Sequence, residues 1–382
     1  MERARAVSRR SMIGMGLAAG AGLIGGDLVG TASAAGRAPA TAGWVPATLP
    51  PEATPQLWAV AAPGPRTAFA VGQYGWNQRD VVNVLHWNGR QWRTVPAPPL
   101  QWNWYMDVAA AGPRAAWIVG LGLQDAAPLS LHWNGVAWKQ VPFPTAAQPA
   151  SGSANAQLMF GVGIPRVAAE PGGTAWAIGG SLAAEQEPVV LRFQGGQWVR
   201  RQVEVPERGK LASVAARAPW DVWLIGGVRE TGLAFTLRWN GRAWQRYDFP
   251  EAATFEAATI LPVSRNSVWA YTGSMGSHWL WRWDGTAWTK VTSVPWNSAA
   301  RFFPYFGSLA FDGRSGVWIP AAGGAARTSY LHWDGTAWTT AQGPAREISV
   351  DVSDLVRIPG TGSIWSVGWE GEGYDPVLER LT

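Results

Sequence analysis

The chain has 382 residues, no cysteine, 27 tryptophans, 46 glycines and 28 prolines; 15% of residues are charged, 47% are apolar, and the formal net charge is +5. Such a chain is too apolar and too aromatic for disorder and long enough for a large core. The lack of cysteine excludes disulfides, thiolate zinc sites, iron–sulfur clusters and cysteine nucleophiles, and four histidines (His86, His132, His278, His332) are few for a histidine-rich metal centre, so no metal and no cofactor are expected.

Residues 1–34 read as a targeting segment. Ser8-Arg9-Arg10-Ser11-Met12-Ile13 resembles the twin-arginine export motif. An uncharged, glycine-rich apolar stretch follows from Met12 to Gly26, short of the roughly 20 residues that a membrane span needs. Ala32-Ser33-Ala34 fits a small-x-small cleavage site, which starts the mature chain at Ala35. The resemblance implies a protein folded in the cytoplasm and secreted by the twin-arginine pathway. The segment carries four arginines against Glu2 and Asp27, so residues 35–382 keep a net charge of +3 with no lysine or arginine run. No nucleic-acid partner and no membrane span after signal removal are expected.

Self-similarity dominates the remainder. The element Leu85-His86-Trp87-Asn88-Gly89-Arg90-Gln91-Trp92 returns at Leu131–Trp138, Leu191–Trp198, Leu237–Trp244, Trp281–Trp288 and Leu331–Trp338. A second element is a short apolar run ending in glycine, such as Ala116-Trp117-Ile118-Val119-Gly120. It is anchored at Phe69, Trp117, Trp176, Trp223, Trp269, Trp318 and Trp365, with steps of 48, 59, 47, 46, 49 and 47 residues. Asn-Gly or Asp-Gly between apolar runs predicts a two-residue type I′ hairpin turn, with positive φ at both residues. That turn sets Leu85 opposite Trp92 with Trp87 on the same face, and His86 and Gln91 on the other. A third run, such as Met106–Ala111, precedes each anchor. Each unit thus predicts four antiparallel strands, a to d, the Trp-Asn-Gly turn joining c to d. No helix is expected in the mature chain.

Units of four short strands at a period of roughly 40–50 residues are propeller blades. Seven anchors stand against six hairpins, because after Trp365 the chain runs through Pro376-Val377-Leu378-Glu379-Arg380-Leu381 and stops short of a turn. Gly43-Trp44-Val45-Pro46 matches the outer strand of the other units and is predicted to complete the last blade, covering its open edge. The expected fold is all-β: one seven-bladed propeller over residues 35–382, its ring closed by the N-terminal strand. The strand ends Ala177-Ile178-Gly179-Gly180 and Leu224-Ile225-Gly226-Gly227, each followed by a loop, an aromatic–polar pair and a tryptophan, resemble kelch-type repeats. The resemblance spans nearly all of the mature chain and extends to the central propeller of galactose oxidase. The copper site of that enzyme needs a cysteine-linked tyrosine, which this chain cannot make.

A basic residue recurs beside the hairpin tryptophan: His86, His132, Arg192, Arg238, Arg282, His332 and Arg380. These positions fall in separate blade interfaces, so a hydrogen bond or cation–π contact to a neighbouring blade's tryptophan is expected, not a shared ligand site. Eighteen tryptophans are core by position. Of the nine others, Trp76, Trp102, Trp104, Trp296 and Trp369 fall in b–c loops or d–a crossings, on the face opposite the hairpins. Tyr105 and Tyr374 lie close to them in sequence, and Asn77 and Arg79 offer hydrogen bonds to hydroxyls. Clustered exposed aromatics mark binding surfaces, and flat rings suit the apolar faces of sugars. Acidic residues such as Asp80, Glu230, Glu370 and Asp375 crowd the same face and oppose anionic ligands. Asp107 and Asp351, near the starts of innermost strands, are the candidates for acid–base chemistry in the channel. The expectation is a monomeric binding module, with an extracellular or cell-wall carbohydrate or a protein as partner. The alternatives are a glycoside hydrolase or polysaccharide lyase using channel-side carboxylates, or a protein-interaction scaffold.

Overall fold

A computed structural model describes residues 43–53, 56–73, 84–98, 103–122, 128–144, 166–180, 188–228, 230–255, 257–274, 276–295, 308–321, 325–371 and 375–382. The targeting segment lies outside the described residues, and Ala42–Thr382 form one compact unit. The described residues contain strands, turns and bends but no helix.

Five sheets have four strands each and a sixth has seven, every strand but the N-terminal one pairing with a neighbour in sequence. The second sheet shows the pattern: Asn103–Gly112, Ala115–Gly122, Pro128–Trp133 and Trp138–Gln140 run antiparallel in that order, from a to d. In the seven-stranded sheet one long strand, Trp338–Arg357, serves twice. Its first half pairs with Ala325–Trp333 and its second half with Ile364–Glu370. The short strand Trp44–Pro46 pairs with Asp375–Leu381 through Trp44↔Leu381, Val45↔Arg380 and Pro46↔Glu379. The N-terminal strand thus takes the outer place that the sequence assigned to it.

The first strands of successive sheets touch in chain order: Gln56–Gly64, Asn103–Gly112, Arg166–Glu170, Gly209–Ala218, Ala257–Ser264, Ala310–Phe311 and the second half of Trp338–Arg357. The last of these touches the first. Among the described residues seven apolar clusters fill the seams, each built from two adjoining sheets or from the two halves of the large one.

The repeated tryptophans explain this packing. The b-strand aromatic of one sheet inserts between the hairpin aromatics of the next. Phe69 meets Trp133 and Trp138, Trp176 meets Trp239 and Trp244, Trp223 meets Trp283 and Trp288, and Trp365 meets Trp87 and Trp92, all with centroids 5.2–6.1 Å apart. Trp318 meets Trp44 edge-on at 6.0 Å, so the N-terminal tryptophan fills the place of a hairpin tryptophan.

The recurrent basic residues contact their own sheet's aromatic, and two histidines also reach the next sheet as expected: His86 lies 6.0 Å from Trp133 and His132 4.8 Å from Phe193. Arg192 lies over Trp176, Arg238 over Trp223, Arg282 over Trp269 and Arg380 over Trp365, at 5.1–5.4 Å from the ring centroid. His86 stacks on Phe69, His132 on Trp117 and His332 on Trp318. The reason is register: each basic residue is the cross-strand partner of that aromatic, as in Trp176↔Arg192. Buried acids in three a–b turns hold them there. Glu170 accepts from Arg192 and Trp176, Asp221 from Arg238 and Trp223, and Asp312 from His332.

The Asn-Gly hairpins also differ from the type I′ expectation. Positive φ falls on the glycine alone, +92° at Gly89 and +97° at Gly241. Asn88 Oδ1 accepts from the N–H groups of Arg90 and Gln91 at 3.0 and 3.1 Å, and Asn134, Asn240, Asp284 and Asp334 repeat the arrangement. This side-chain turn lengthens the loop, so Trp87 pairs with Trp92 and Leu85 with Thr94. The two-residue turn occurs at Gln194-Gly195-Gly196-Gln197, where both glycines have positive φ (+59° and +81°) and Gln194 pairs with Gln197.

Candidate functional site

The b–c loops and d–a crossings carry most of the predicted ligand residues. Trp76, Asn77, Arg79, Trp102, Trp296 and Tyr374 lie outside the described residues. Trp104 is in the a strand of the second sheet, its backbone paired with Leu121. Tyr105 is not offered on the rim. It is 1% exposed within the cluster between the first two sheets, and burial pushes its phenol above the ordinary tyrosine range.

Trp369 stands near the end of Ile364–Glu370, half-buried and in register with Asp351. Its ring packs against Trp58 of the first sheet, with centroids 5.2 Å apart and planes tilted by 45°. Trp58 is the extra residue of a bulge between Leu57 and Ala59, which takes it out of the strand's regular alternation. Neither ring belongs to any of the seven seam clusters. The pair joins the first and last sheets on the loop face.

Deeper in, the inner strands supply one layer of polar residues. The position two before the cross-strand partner of each b-strand aromatic holds Ala59, Asp107, Arg166, Ser213, Thr259, Ser308 and Asp354. Three of them clasp the next sheet in the same way. Asp107 Oδ2 accepts from Val167 N (3.0 Å), Ser308 Oγ from Leu355 N (2.8 Å) and Asp354 Oδ2 from Val60 N (2.8 Å). The last contact links the second half of Trp338–Arg357 to the first sheet. Each aspartate also accepts from the N–H after it, Asp107 from Val108 and Asp354 from Leu355, both at 2.8 Å.

These groups share one field. Burial pushes Asp107 up, and Arg166 and the two N–H groups oppose the shift. Burial pushes Asp354 up to about 7, against its bonds to Val60, Ser308 and Leu355, and the negative charge of Asp107 adds to the rise. Burial lowers the Arg166 guanidinium, opposed by both aspartates. Asp351 lies three residues before Asp354, toward the loop face and across the bulge at Ser353, so it does not share the clasp layer with Asp107. Arg166 carries no motif, and only the register reveals it.

A groove of about 580 Å³ opens beside the N-terminal strand, a volume within the ordinary range of ligand clefts. Trp87, Trp92 and Trp365 line it together with Glu52, Arg90 and Arg93. Among the described residues no cluster of three or more histidines or carboxylates is arranged to hold a metal ion. No helix there is long and apolar enough to cross a membrane.

No protein-family model matches the chain, and no curated protein matches its sequence. Solved structures do match in fold. YCF48 bound to D1 peptide is 17% identical with a TM-score of 0.55, covering 89% of this chain and 97% of that one. YCF48 from Cyanidioschyzon merolae is 14% identical with a TM-score of 0.56, covering 89% and 99%. An Aleuria aurantia lectin variant in complex with Fucalpha1-6GlcNAc is 11% identical with a TM-score of 0.51, covering 76% and 96%. That lectin is a six-bladed β-propeller. At these identities the likeness is one of fold: the chain is an all-β propeller built from antiparallel sheets.

Proposed function

We propose that the chain is a secreted, non-enzymatic, seven-bladed propeller that binds a neutral carbohydrate of an extracellular or cell-wall polymer on its loop face. The blade count rests on the seven inner strands in contact order and on the Asp354–Val60 bond between last and first. The kelch-like reading rests on the glycine-ended b strands at Gly179 and Gly226-Gly227. Secretion rests on the motif around Arg9-Arg10; replacing both with lysine is expected to retain the protein in the cell, and continued export would exclude the twin-arginine route.

The carbohydrate reading is carried by the Trp58–Trp369 pair, two large rings outside every seam core at strand ends on the loop face. Aromatic faces of this kind suit the apolar faces of sugars. The fold shared with a lectin solved in complex with a fucosyl sugar supports the same ligand class. Catalysis by Asp107 is disfavoured because an N–H group already engages each of its carboxylate oxygens. A peptide ligand is the second reading, favoured by the likeness to YCF48 bound to a peptide.

The test is a glycan and polysaccharide binding screen on residues 35–382, with product analysis of every mixture. Binding without cleavage, lost in Trp58→Ala and Trp369→Ala, is the expected result. Cleavage that fails in Asp107→Asn or Asp351→Asn would make the protein an enzyme. Binding lost only in Trp87→Ala or Arg93→Ala would move the site to the groove. Capture of peptides alone would select the second reading.

A further inference from the structure

The a–b turns and c–d hairpins emerge on one face, opposite the loops. A Cβ placed on hairpin Gly89 would meet Arg66 of the a–b turn, and one on Gly135, Gly241, Gly285 or Gly335 would meet Arg114, Trp220, Asn266 or Ser315. Every one of these turns lies within the described residues. Six arginines stand exposed on them: Arg66, Arg114, Arg265 and Arg314 in a–b turns, Arg90 and Arg242 in hairpins. None of the six takes part in an ion pair among the described residues. The acids Glu170, Asp221 and Asp312 of the same turns point inward to Arg192, Arg238 and His332. Exposed acidic side chains there are limited to Asp284 and Asp334, each bonded to the N–H groups of its own turn. Two large apolar residues protrude on the same face: Trp220, 62% exposed, and Val136, 80% exposed.

The arginines come from the first, second, fourth and fifth sheets and from the first half of the large one, so they cannot converge on one small anion. Of the six, Arg90 alone lines the groove beside the N-terminal strand. A spread of separate cations around a protruding indole and valine fits a plane of negative charge with an apolar layer beneath it. We propose that the hairpin face adsorbs to the surface of an anionic lipid bilayer, with the arginines on the headgroups and Trp220 and Val136 at the headgroup boundary.

The test is sedimentation with lipid vesicles, using the full chain and, in parallel, the compact unit Ala42–Thr382. Binding to phosphatidylcholine vesicles containing phosphatidylglycerol is expected, with little binding to pure phosphatidylcholine and a fall as salt rises. Each arginine near an anionic surface contributes about fivefold in partitioning, so Arg66→Gln, Arg90→Gln and Arg114→Gln together are expected to weaken binding about a hundredfold. Arg208→Gln, Arg246→Gln and Lys290→Gln remove the same charge away from this face, where these residues pair with Glu230, Asp248 and Glu251, and are expected to leave most of the binding. Trp220→Ser is expected to weaken it at constant charge. Equal losses in the two triple variants would reduce the effect to net charge and overturn the proposal. So would equal binding to neutral vesicles, no binding to either kind, or capture by a soluble anionic polysaccharide with vesicles ignored. All substituted residues are in exposed turns or on outer strands, and an unchanged melting curve identifies variants that fold.

Discussion

Replacing Trp44 with alanine tests the N-terminal strand as a structural part of the propeller. Its side chain is 5% exposed, stacked on Tyr330 with centroids 3.7 Å apart and planes 11° apart, and edge-on to Trp318 at 6.0 Å. A buried tryptophan removes about 200 Å² from water, about 5 kcal/mol at 25 cal/mol per Å². Partial collapse of the cavity brings the expected loss to about 3–5 kcal/mol. The neighbours are themselves rigid: Tyr330 donates to Glu379 at 3.0 Å and pairs with Ser366 at 2.9 Å, so little can move in to fill the space. Urea unfolding followed by tryptophan fluorescence reads the change as a lower midpoint, with gel filtration as companion. Deleting residues 35–50 is expected to do more, because it also bares the Asp375–Leu381 edge to other chains, and should yield aggregates. An alanine variant with an unchanged midpoint, or a monomeric and equally stable deletion, would refute the assignment of this strand.

The aspartates that clasp neighbouring sheets predict a pH dependence. Asp354 has a folded pKa of about 7, above its value in the unfolded chain, so its contribution to stability is full below about pH 4 and is lost as pH rises through 7. Asp107 is shifted in the same direction. Asp354→Asn is expected to flatten the stability profile between these limits; an unchanged slope would exclude this group as its source. Asp221→Asn leaves Arg238, Arg217 and the Trp223 indole N–H short of their shared acceptor and is expected to cost about 3–5 kcal/mol in urea unfolding, with part regained by adding Arg238→Met. Equal stability of the two single-site partners and the wild type would make the network dispensable. Gly285→Ala combines a φ of +108° with a Cβ 2.8 Å from Asn266, whereas Gly360→Ala has a φ of +75° and open space. Both variants are expected to lower the melting temperature, by about 1–3 kcal/mol of strain, with Gly285→Ala the worse of the two.

The repeat was legible because each unit must solve the same packing problem. A b-strand ring fits between two hairpin rings, and that demand recurs at Trp117, Trp176 and Trp223 in a spacing that one chain displays. The place of Trp44 followed from the same count. Register was not legible, because Asn88 and its counterparts spend their side chains on two N–H groups and so lengthen the loop without changing the Asn-Gly signature. The own-sheet partners of the basic residues were missed for a related reason, although His86 does reach Trp133 of the next sheet. Alternation gives a face, while the identity of the facing partner depends on the loop length. The polar layer of the inner strands has no motif at all. Its members are Ala, Asp, Arg, Ser, Thr, Ser and Asp at intervals near the repeat length, and bulges at Trp58, Met106 and Ser353 shift the phase before several of them. The loop-face prediction rests on residues of which Trp369 alone has a described side chain outside the core, joined there by Trp58.

The two faces of the propeller differ for a reason rooted in its seams. On the hairpin side, each buried acid is committed to the arginine or histidine that covers its own sheet's tryptophan, as Asp221 is to Arg238 and Asp312 to His332. Such an acid cannot also neutralise the surface. The turn arginines of the same sheets therefore keep their charge, and the packing rule that builds the core leaves the surface above it basic. On the loop side two described cations are paired: Arg346 bridges Glu370 and Glu379, and Arg208 pairs with Glu230. Among the described residues, the paired charges of Arg346 and Glu370 stand on the sheet that carries Trp369. A neutral ligand above and an anionic plane below require different surfaces, and the fold presents them on opposite ends of the same strands. Variants confined to the turns should therefore alter adsorption without altering ligand binding, and changes at Trp58 or Trp369 should do the reverse.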